Sequence, residues 1–367
     1  MNAMRRTVTL LLTDACNLSC IYCYEHNKSH NFMSFETAKT ILDKELSSQK
    51  IEEPIVIDLF GGEPFLNFGL MKQIVEYVMS AYPKHNKTFF TTTNGTLVHG
   101  NIQKWLIEKK KNLTCGLSLD GNETAHNINR SNSYSDIDLE FFKNIYPYQP
   151  IKMTISGASL PYLAESVRFL TEYGFKVQCN FAEGIDWTLP QYVKILQDQL
   201  DDLIDYYIDT PEVEKCRLLN FEIGILSRPR QNNNEVNRYC GSGRYMRCYN
   251  LDGVSYPCQM FSPISAGDKA IPSAEFIIKD RINITELDNK CQNCYFLPLC
   301  PMCIGSNYLS TGSLYKVDDY KCKLQKIVFA ANAKLKALEW EKGLLHFEGD
   351  EEQALLKSII EIQDINV

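Results

Sequence analysis

The chain has 367 residues, 44% of them apolar, with a net charge of −7 and a pI of about 5.5. That balance describes a globular protein with one large domain and room for a smaller one, and argues against nucleic acid as a partner. No uninterrupted apolar run of about 18 residues occurs, so no membrane-spanning helix is expected. Fourteen cysteines is a high count for this length. The apolar run after Arg5 and Arg6 passes into a cysteine cluster without a small-residue cleavage site, so it reads as a first strand, not an export signal. A cytoplasmic location is therefore expected, where cysteines serve as metal ligands or catalytic thiols.

In chain order, "RRTVTLLLTD" is a strand, and "SFETAKTILDKELSSQ" a helix with Ser34 as its N-cap. "PIVIDLFGGEP" is a strand that ends in a glycine turn, "NFGLMKQIVEYVMSAY" a helix, and "KTFFTTTNGT" a strand. "NIQKWLIEKK" is a helix, "LTCGLSLDG" and "IKMTISGA" are strands, "PYLAESVRFLTEYG" is a helix closed by Gly174, and "FKVQCNFAEG" is a strand. Repeated β-then-α units imply an α/β fold, a parallel sheet with helices outside, as an open or closed barrel. Its functional groups gather at the C-terminal strand ends. A bridge over 186–235 follows, with the helix "LPQYVKILQDQLDDLIDYYID" and the polar loop "RPRQNNNEVNR". A cysteine-rich segment over 236–325 comes next, with short strands such as "GVSYPCQMF", then the long helix "KLQKIVFAANAKLKALEWEKGLL" and an acidic tail within 326–367.

Cys16, Cys20 and Cys23 stand at the end of the first strand. Disulfides want an even number of thiols, and tetrahedral zinc wants four ligands, the fourth from His26, His30 or a distant residue, or three and an open site. A cubane iron–sulfur cluster held by three thiolates keeps one iron open. The Cys-x3-Cys-x2-Cys triad, followed by "GGEP" after the second strand, resembles the radical S-adenosylmethionine superfamily over residues 6–185. The resemblance implies a [4Fe–4S] cluster on the three cysteines, with S-adenosylmethionine chelated to the fourth iron and cleaved to a 5′-deoxyadenosyl radical. It places Gly61, Gly62 and Glu63 at the methionyl ammonium. Tyr22, Ser118 and Arg130 match cofactor-contacting positions, and Thr93 and Asn94 stand where they would touch ribose. A family variant has Asp where Asn127 stands, so no role is carried to that position.

Eight further cysteines lie between positions 240 and 322. Their pattern resembles the SPASM extension of the same superfamily. The implied fold is a partial (β/α)6 TIM-like barrel over 1–185, the bridge, a small cysteine-rich SPASM domain over 236–325 and a C-terminal helix. Interleaved ligation would give one auxiliary [4Fe–4S] cluster on Cys240, Cys248, Cys258 and Cys303. A second would use Cys291, Cys294, Cys300 and Cys322, for three clusters in all. "CPMC" is one residue shorter than the usual last spacing. A zinc ribbon is the chemical alternative for such Cys-x2-Cys pairs. Cys115, Cys179 and Cys216 match no pattern and read as core thiols, with a redox or substrate role as the alternative.

SPASM enzymes of this architecture mostly modify peptides or protein side chains. The expected function is a peptide maturase that abstracts hydrogen and installs a cross-link such as a thioether, or a related modification. The alternative is an anaerobic sulfatase-maturing enzyme, which forms formylglycine. Such enzymes have Asp directly after the cysteine matching Cys258, and here Gln259 stands there. An amide cannot accept a proton as a carboxylate does, so formylglycine formation needs Asp252 or another carboxylate. A non-catalytic iron–sulfur or zinc scaffold is the reading of another class. Expected partners are a precursor peptide or protein, a flavodoxin or ferredoxin type electron donor, and a separate leader-binding protein or surface, since fifteen residues precede Cys16.

Overall fold

The computed structural model describes residues 5–228, 235–238, 240–276, 279 and 281–365. Positions 229–234 of the expected polar loop lie outside the described residues. In chain order the first half gives β1 (Arg6–Leu11), α1 (Phe35–Ser47), β2 (Ile55–Phe60), α2 (Phe68–Ala81), β3 (Lys87–Thr93), α3 (Asn101–Lys109) and β4 (Leu113–Leu117). It continues with α4 (Glu123–Asn129), α5 (Leu139–Ile145), β5 (Ile151–Ile155), α6 (Leu163–Tyr173), β6 (Val177–Phe181) and α7 (Pro190–Asp209). The second half gives β7 (Glu235–Asn237), β8 (Met246–Tyr249), β9 (Ser255–Tyr256), α8 (Pro263–Ala266) and β10 (Arg281–Asn283). It closes with α9 (Asn289–Gln292), α10 (Ile304–Thr311), α11 (Asp319–Glu341) and α12 (Glu351–Gln363). The Ser34 hydroxyl accepts from Thr37 N–H at the start of α1, and Gly174 closes α6 in the left-handed region at φ 103°. The short helices α4 and α5 were not expected, although Asp138 caps α5 by accepting from Phe141 N–H.

The chain separates into two compact units that interleave along the sequence. The first takes residues 1–119, 126–152 and 240–278. The expected segments 1–185 and 236–325 each contribute to both units. In the first unit β1 to β4 pair in parallel in chain order, with Thr9 beside Asp58, Asp58 beside Phe90, and Phe90 beside Thr114. A parallel bridge from Ser118 to Lys152 extends the pairing to the start of β5. Val8, Leu10, Ile55, Ile57, Leu59 and Phe89 are buried, as are Ile41, Leu42 and Leu46 on α1 and Met71, Ile74 and Val78 on α2.

The sheet differs from expectation at one edge. β8, from the cysteine-rich segment, pairs in parallel with β1, and β9 follows it antiparallel. The six-stranded sheet therefore runs β4-β3-β2-β1-β8-β9, while β5 and β6 form a two-stranded sheet. The physical reason is the unpaired edge of a buried apolar strand, which needs a partner for its N–H and C=O groups. Glu45 of α1 fixes β8 there. Its carboxylate is 1% exposed and accepts from Arg6, from Arg247 at 3.2 Å and from the Tyr249 hydroxyl.

The second unit takes residues 120–125, 153–239 and 279–367. Its apolar core joins Ile223, Leu226, Phe296, Phe329, Leu355 and Ile359. The rings of Phe296 and Phe329 stack at 5.1 Å. Asn332, fully buried on α11, accepts from Phe221 N–H at 3.0 Å and donates to Leu218 C=O at 2.6 Å, which satisfies the turns before it.

Removing Glu45 leaves Arg247 and the Tyr249 phenol without their acceptor and Arg6 with Gln49 Oε1 alone. Because Arg247 is 42% exposed and screened, the cost of Glu45→Ala is expected to be about 2–3 kcal/mol and not the full penalty of a buried pair. Urea unfolding followed by circular dichroism measures it, with Glu45→Gln losing less.

Candidate cluster and cofactor site

The three-cysteine loop leaves β1 through Thr13, whose hydroxyl donates to Asn31 C=O at 2.8 Å and accepts from Ala15 N–H at 3.0 Å. Cys16, Cys20 and Cys23 are half-buried, and Cys23 N–H closes a turn on Cys20 C=O at 3.2 Å. The Lys28 ammonium is within electrostatic reach of all three thiols and lies 3.4 Å from Leu18 C=O. Burial opposes its charge, but the thiols raise its pKa on balance. Burial pushes the Cys16 thiol up, against the Leu18 backbone and Lys28. Among the described residues no three His, Cys, Asp or Glu side chains converge tightly enough to hold a single metal ion. A cubane spreads its thiolates over a larger body and does not require that convergence.

The "GGEP" turn is packed against the same loop. A Cβ on Gly61 would stand 2.4 Å from Thr13 O, at a φ of +151°, and one on Gly62 would stand 2.3 Å from Ala15 O. The two glycines thus admit a backbone–backbone approach that any side chain would block. Gly62 N–H donates to Thr13 C=O at 3.0 Å, and Glu63 N–H to Ala15 C=O at 2.8 Å. The Glu63 carboxylate, 1% exposed, accepts from the Thr93 hydroxyl at 2.8 Å, Asn94 N–H at 2.9 Å and Phe65 N–H at 3.2 Å. Thr93 and Asn94, expected near ribose, therefore hold Glu63. The Asn94 amide also donates to Asn17 in the cysteine loop at 2.9 Å.

Arg130 follows α4. Its guanidinium lies 5.4 Å from the centre of the Tyr22 ring, a cation–π distance, and within electrostatic reach of Glu63. The segment after α4 clamps the cysteine loop: Ile21 N–H donates to Asn129 C=O at 3.0 Å, and Ser19 N–H to the Ser131 hydroxyl at 3.1 Å. Ser131 and Asn132 adopt positive φ of 56° and 55°, an uncommon conformation outside glycine. Asn127, given no role above, accepts from Tyr134 N–H at 3.0 Å and shapes this turn. Ser118 ends β4 with its N–H on Thr93 C=O at 2.9 Å.

Of the eight later cysteines, Cys240, Cys248 and Cys258 fall in the first unit and the other five in the second. Cys248 and Cys258 are electrostatic neighbours, with the Cys248 thiol raised first by burial. Cys291, Cys294, Cys300 and Cys322 are mutual neighbours: burial and then the other thiols push Cys291 up to about 11 and Cys300 up to about 12. Cys303 caps α10, its sulfur 3.5 Å from Ser306 N–H. Cys115 is a buried core thiol. Cys179 and Cys216, 2% and 1% exposed, share a hydrogen bond that raises Cys179 and lowers Cys216, a pairing no local spacing announces. Gln259 hydrogen-bonds the Tyr24 hydroxyl beside the cysteine loop. Asp252 is exposed in the β8–β9 turn, where it accepts from Val254 N–H at 3.0 Å.

A family model described as a 4Fe-4S single cluster domain matches residues 5–134. An uncharacterized protein of Methanocaldococcus jannaschii is 34% identical over 46% of this chain and 59% of its own length. A cysteine-type anaerobic sulfatase-maturating enzyme of Clostridium perfringens is 28% identical over 45% of this chain and 48% of its own. The chain spans about half the length of these curated relatives. The solved structure of native anSMEcpe with bound AdoMet and a Cp18Cys peptide superposes with a TM-score of 0.67 at 20% identity, over 93% of this chain and 100% of that one. SuiB of Streptococcus suis, bound to its precursor peptide SuiA, gives 0.55 at 17% identity, over 88% and 76%. The chain shares the fold of these two structures. No helix among the described residues is long and apolar enough to cross a membrane.

The residues present fit what that fold carries. Three soft thiols with a cation beside them suit an iron–sulfur cluster. Glu63 and Arg130 set opposite charges near each other, as a zwitterionic amino-acid moiety requires.

Burial raises the Glu63 pKa to about 7, against hydrogen bonds from Asn94, Thr93 and Phe65. The folded state then keeps a proton that the unfolded chain gives up near 4.5. The metal-free protein is expected to lose about 3 kcal/mol from this residue as pH rises from about 4.5 to 7, and Glu63→Gln to flatten that slope. Urea midpoints across that pH range check the sign.

Proposed function

We propose that this chain is a cytoplasmic radical S-adenosylmethionine maturase that modifies a peptide or protein substrate. The observation that carries the reading is the joining of the three-cysteine loop to the "GGEP" turn through Gly62 and Glu63 N–H, which puts the thiols and Glu63 in one rigid assembly. Cys16, Cys20 and Cys23 would hold the reactive cluster. Cys240, Cys248, Cys258 and Cys303 would hold one auxiliary cluster, and Cys291, Cys294, Cys300 and Cys322 another. A cluster and cofactor held there would supply one-electron reductive cleavage of a carbon–sulfur bond. The chain's own part is positioning. Glu63, ionised beside the cofactor's ammonium, would accept its hydrogen bonds, and Arg130 would meet its carboxylate. Gly61 and Gly62 set the turn, Tyr22 packs against Arg130, and Thr93 and Asn94 keep the Glu63 oxygens aimed. Ser118 stands at the adjoining strand end.

Substrate class follows from the two peptide-bound structures of this fold, whose printed names pair them with a Cp18Cys peptide and the precursor SuiA. Formylglycine formation is disfavoured. Gln259 is engaged with Tyr24, and Asp252 faces solvent in a turn, so neither supplies the carboxylate base. An external one-electron donor completes the proposal.

Anaerobic reconstitution is expected to give about twelve irons per chain, and about eight for the Cys16→Ala, Cys20→Ala, Cys23→Ala triple variant, with cofactor cleavage lost. Iron and sulfide analysis with chromatography of cleavage products reads both. Zinc at the later cysteines removes the auxiliary clusters, and an unchanged iron count in the triple variant removes the reactive one. Gly62→Ala, which drives a methyl into Ala15 C=O, is expected to bind less iron at the triad.

A further inference from the structure

On β3 of the first unit one face is buried and the other half-buried. Along β3, Phe89, Thr91 and Thr93 are buried while Thr88, Phe90 and Thr92 between them are half-buried. Thr114 on β4 and Lys152 on β5 are half-buried in the same alternation. On these three strands side chains therefore do not fill the inner face as they would fill a closed barrel, whereas Thr9 and Val56 beside Asp58 are buried.

The face carries one carboxylate and one ammonium. Asp58 lies two residues below the end of β2, from which the "GGEP" turn departs, and Thr9 and Phe90 flank it in register. Its Oδ2 accepts from the Thr9 hydroxyl at 3.1 Å, and its Oδ1 is buried and meets no donor among the described residues. Lys152 Nζ donates to the Thr92 hydroxyl at 2.7 Å and lies 4.9 Å from the centre of the Phe90 ring. The two charges feel each other: burial raises Asp58 to about 6 and lowers Lys152, and each opposes the other's shift. Yet among the described residues no ion pair joins Lys152 to a carboxylate. A buried pair that serves stability alone closes to contact, because separated charges give up solvation without full attraction. Here an acceptor oxygen and an ammonium with donors to spare stand apart on a half-buried wall. One planar group satisfies both at once, namely a carboxamide, whose N–H meets the carboxylate and whose C=O meets the ammonium.

We propose that Asp58 and Lys152 form a substrate-binding pair on the inner face of the sheet, which holds an amide of the peptide with its N–H on Asp58 and its C=O on Lys152. This rests on the peptide-modifying reading above. The amide belongs either to the peptide backbone or to an Asn or Gln side chain.

The test uses the reconstituted full chain with S-adenosylmethionine and a random peptide library displayed on mRNA. Peptides enriched on the wild type are measured again on Asp58→Ala and Lys152→Met, with iron content and melting temperature reporting the fold. Affinity is expected to fall about tenfold or more in each variant. A scan that N-methylates one amide at a time is expected to reveal one position whose penalty in the wild type vanishes in Asp58→Ala, the signature of direct coupling. Coupling to an Asn→Asp or Gln→Glu replacement in the peptide instead assigns a side-chain amide. Where Asp58→Ala or Lys152→Met loses iron, Asp58→Asn and Lys152→Arg take its place. Peptides held equally well by wild type and variants overturn the pair and leave the peptide reading standing. A wild type that cleaves the cofactor but enriches no peptide overturns both.

Discussion

The site depends on a close approach of two backbones. The turn after β2 lies against the exit of β1 so closely that a single methyl on Gly61 or Gly62 would enter the carbonyl oxygens of Thr13 or Ala15. That approach delivers two hydrogen bonds from Gly62 and Glu63 to the loop that bears the cysteines. It fixes Glu63, and Glu63 in turn organises the end of β3 through Thr93 and Asn94. Asn94 closes the circuit on Asn17, inside the cysteine loop. The thiols and the buried carboxylate are thus positioned by one continuous set of main-chain and short polar contacts. Long side chains, which lose much rotamer freedom when ordered, take little part in it.

A second constraint works on the later cysteines. Four thiols of the second unit are neighbours, and Cys291, Cys300 and Cys322 resist ionisation, first through burial and then partly because of neighbouring thiols. A cationic metal centre bound there would have to displace those protons, and its charge would offset the mutual repulsion of the thiolates.

Much of this was legible in the sequence because it rests on local pattern. Alternating apolar residues give β1 to β6, and Ser34 and Gly174 mark helix ends by their capping chemistry. What escaped is long-range. β8 is four residues long and includes Arg247, so it carries no strand signature strong enough to predict that it would cover the edge of β1. Cys179 and Cys216 meet across a separation no spacing rule encodes. Thr93 and Asn94 stand at a strand end in the sequence, but only the fold shows that the Thr93 hydroxyl and Asn94 N–H hold Glu63. Asp58 falls on the inner face by alternation alone, but only register across strands shows what stands beside it.

The pairing of β1 with β8 also bears on synthesis. β1 is complete at Leu11, while its neighbour on that side ends at Tyr249. At about 5–20 residues per second, the ribosome needs roughly ten to fifty seconds to bridge that interval. Throughout it, a buried-type apolar strand has an open row of N–H and C=O groups, the feature that invites pairing between nascent chains. The first unit can close only when a segment encoded far downstream emerges, so prematurely terminated chains carry an adhesive edge that the finished protein conceals.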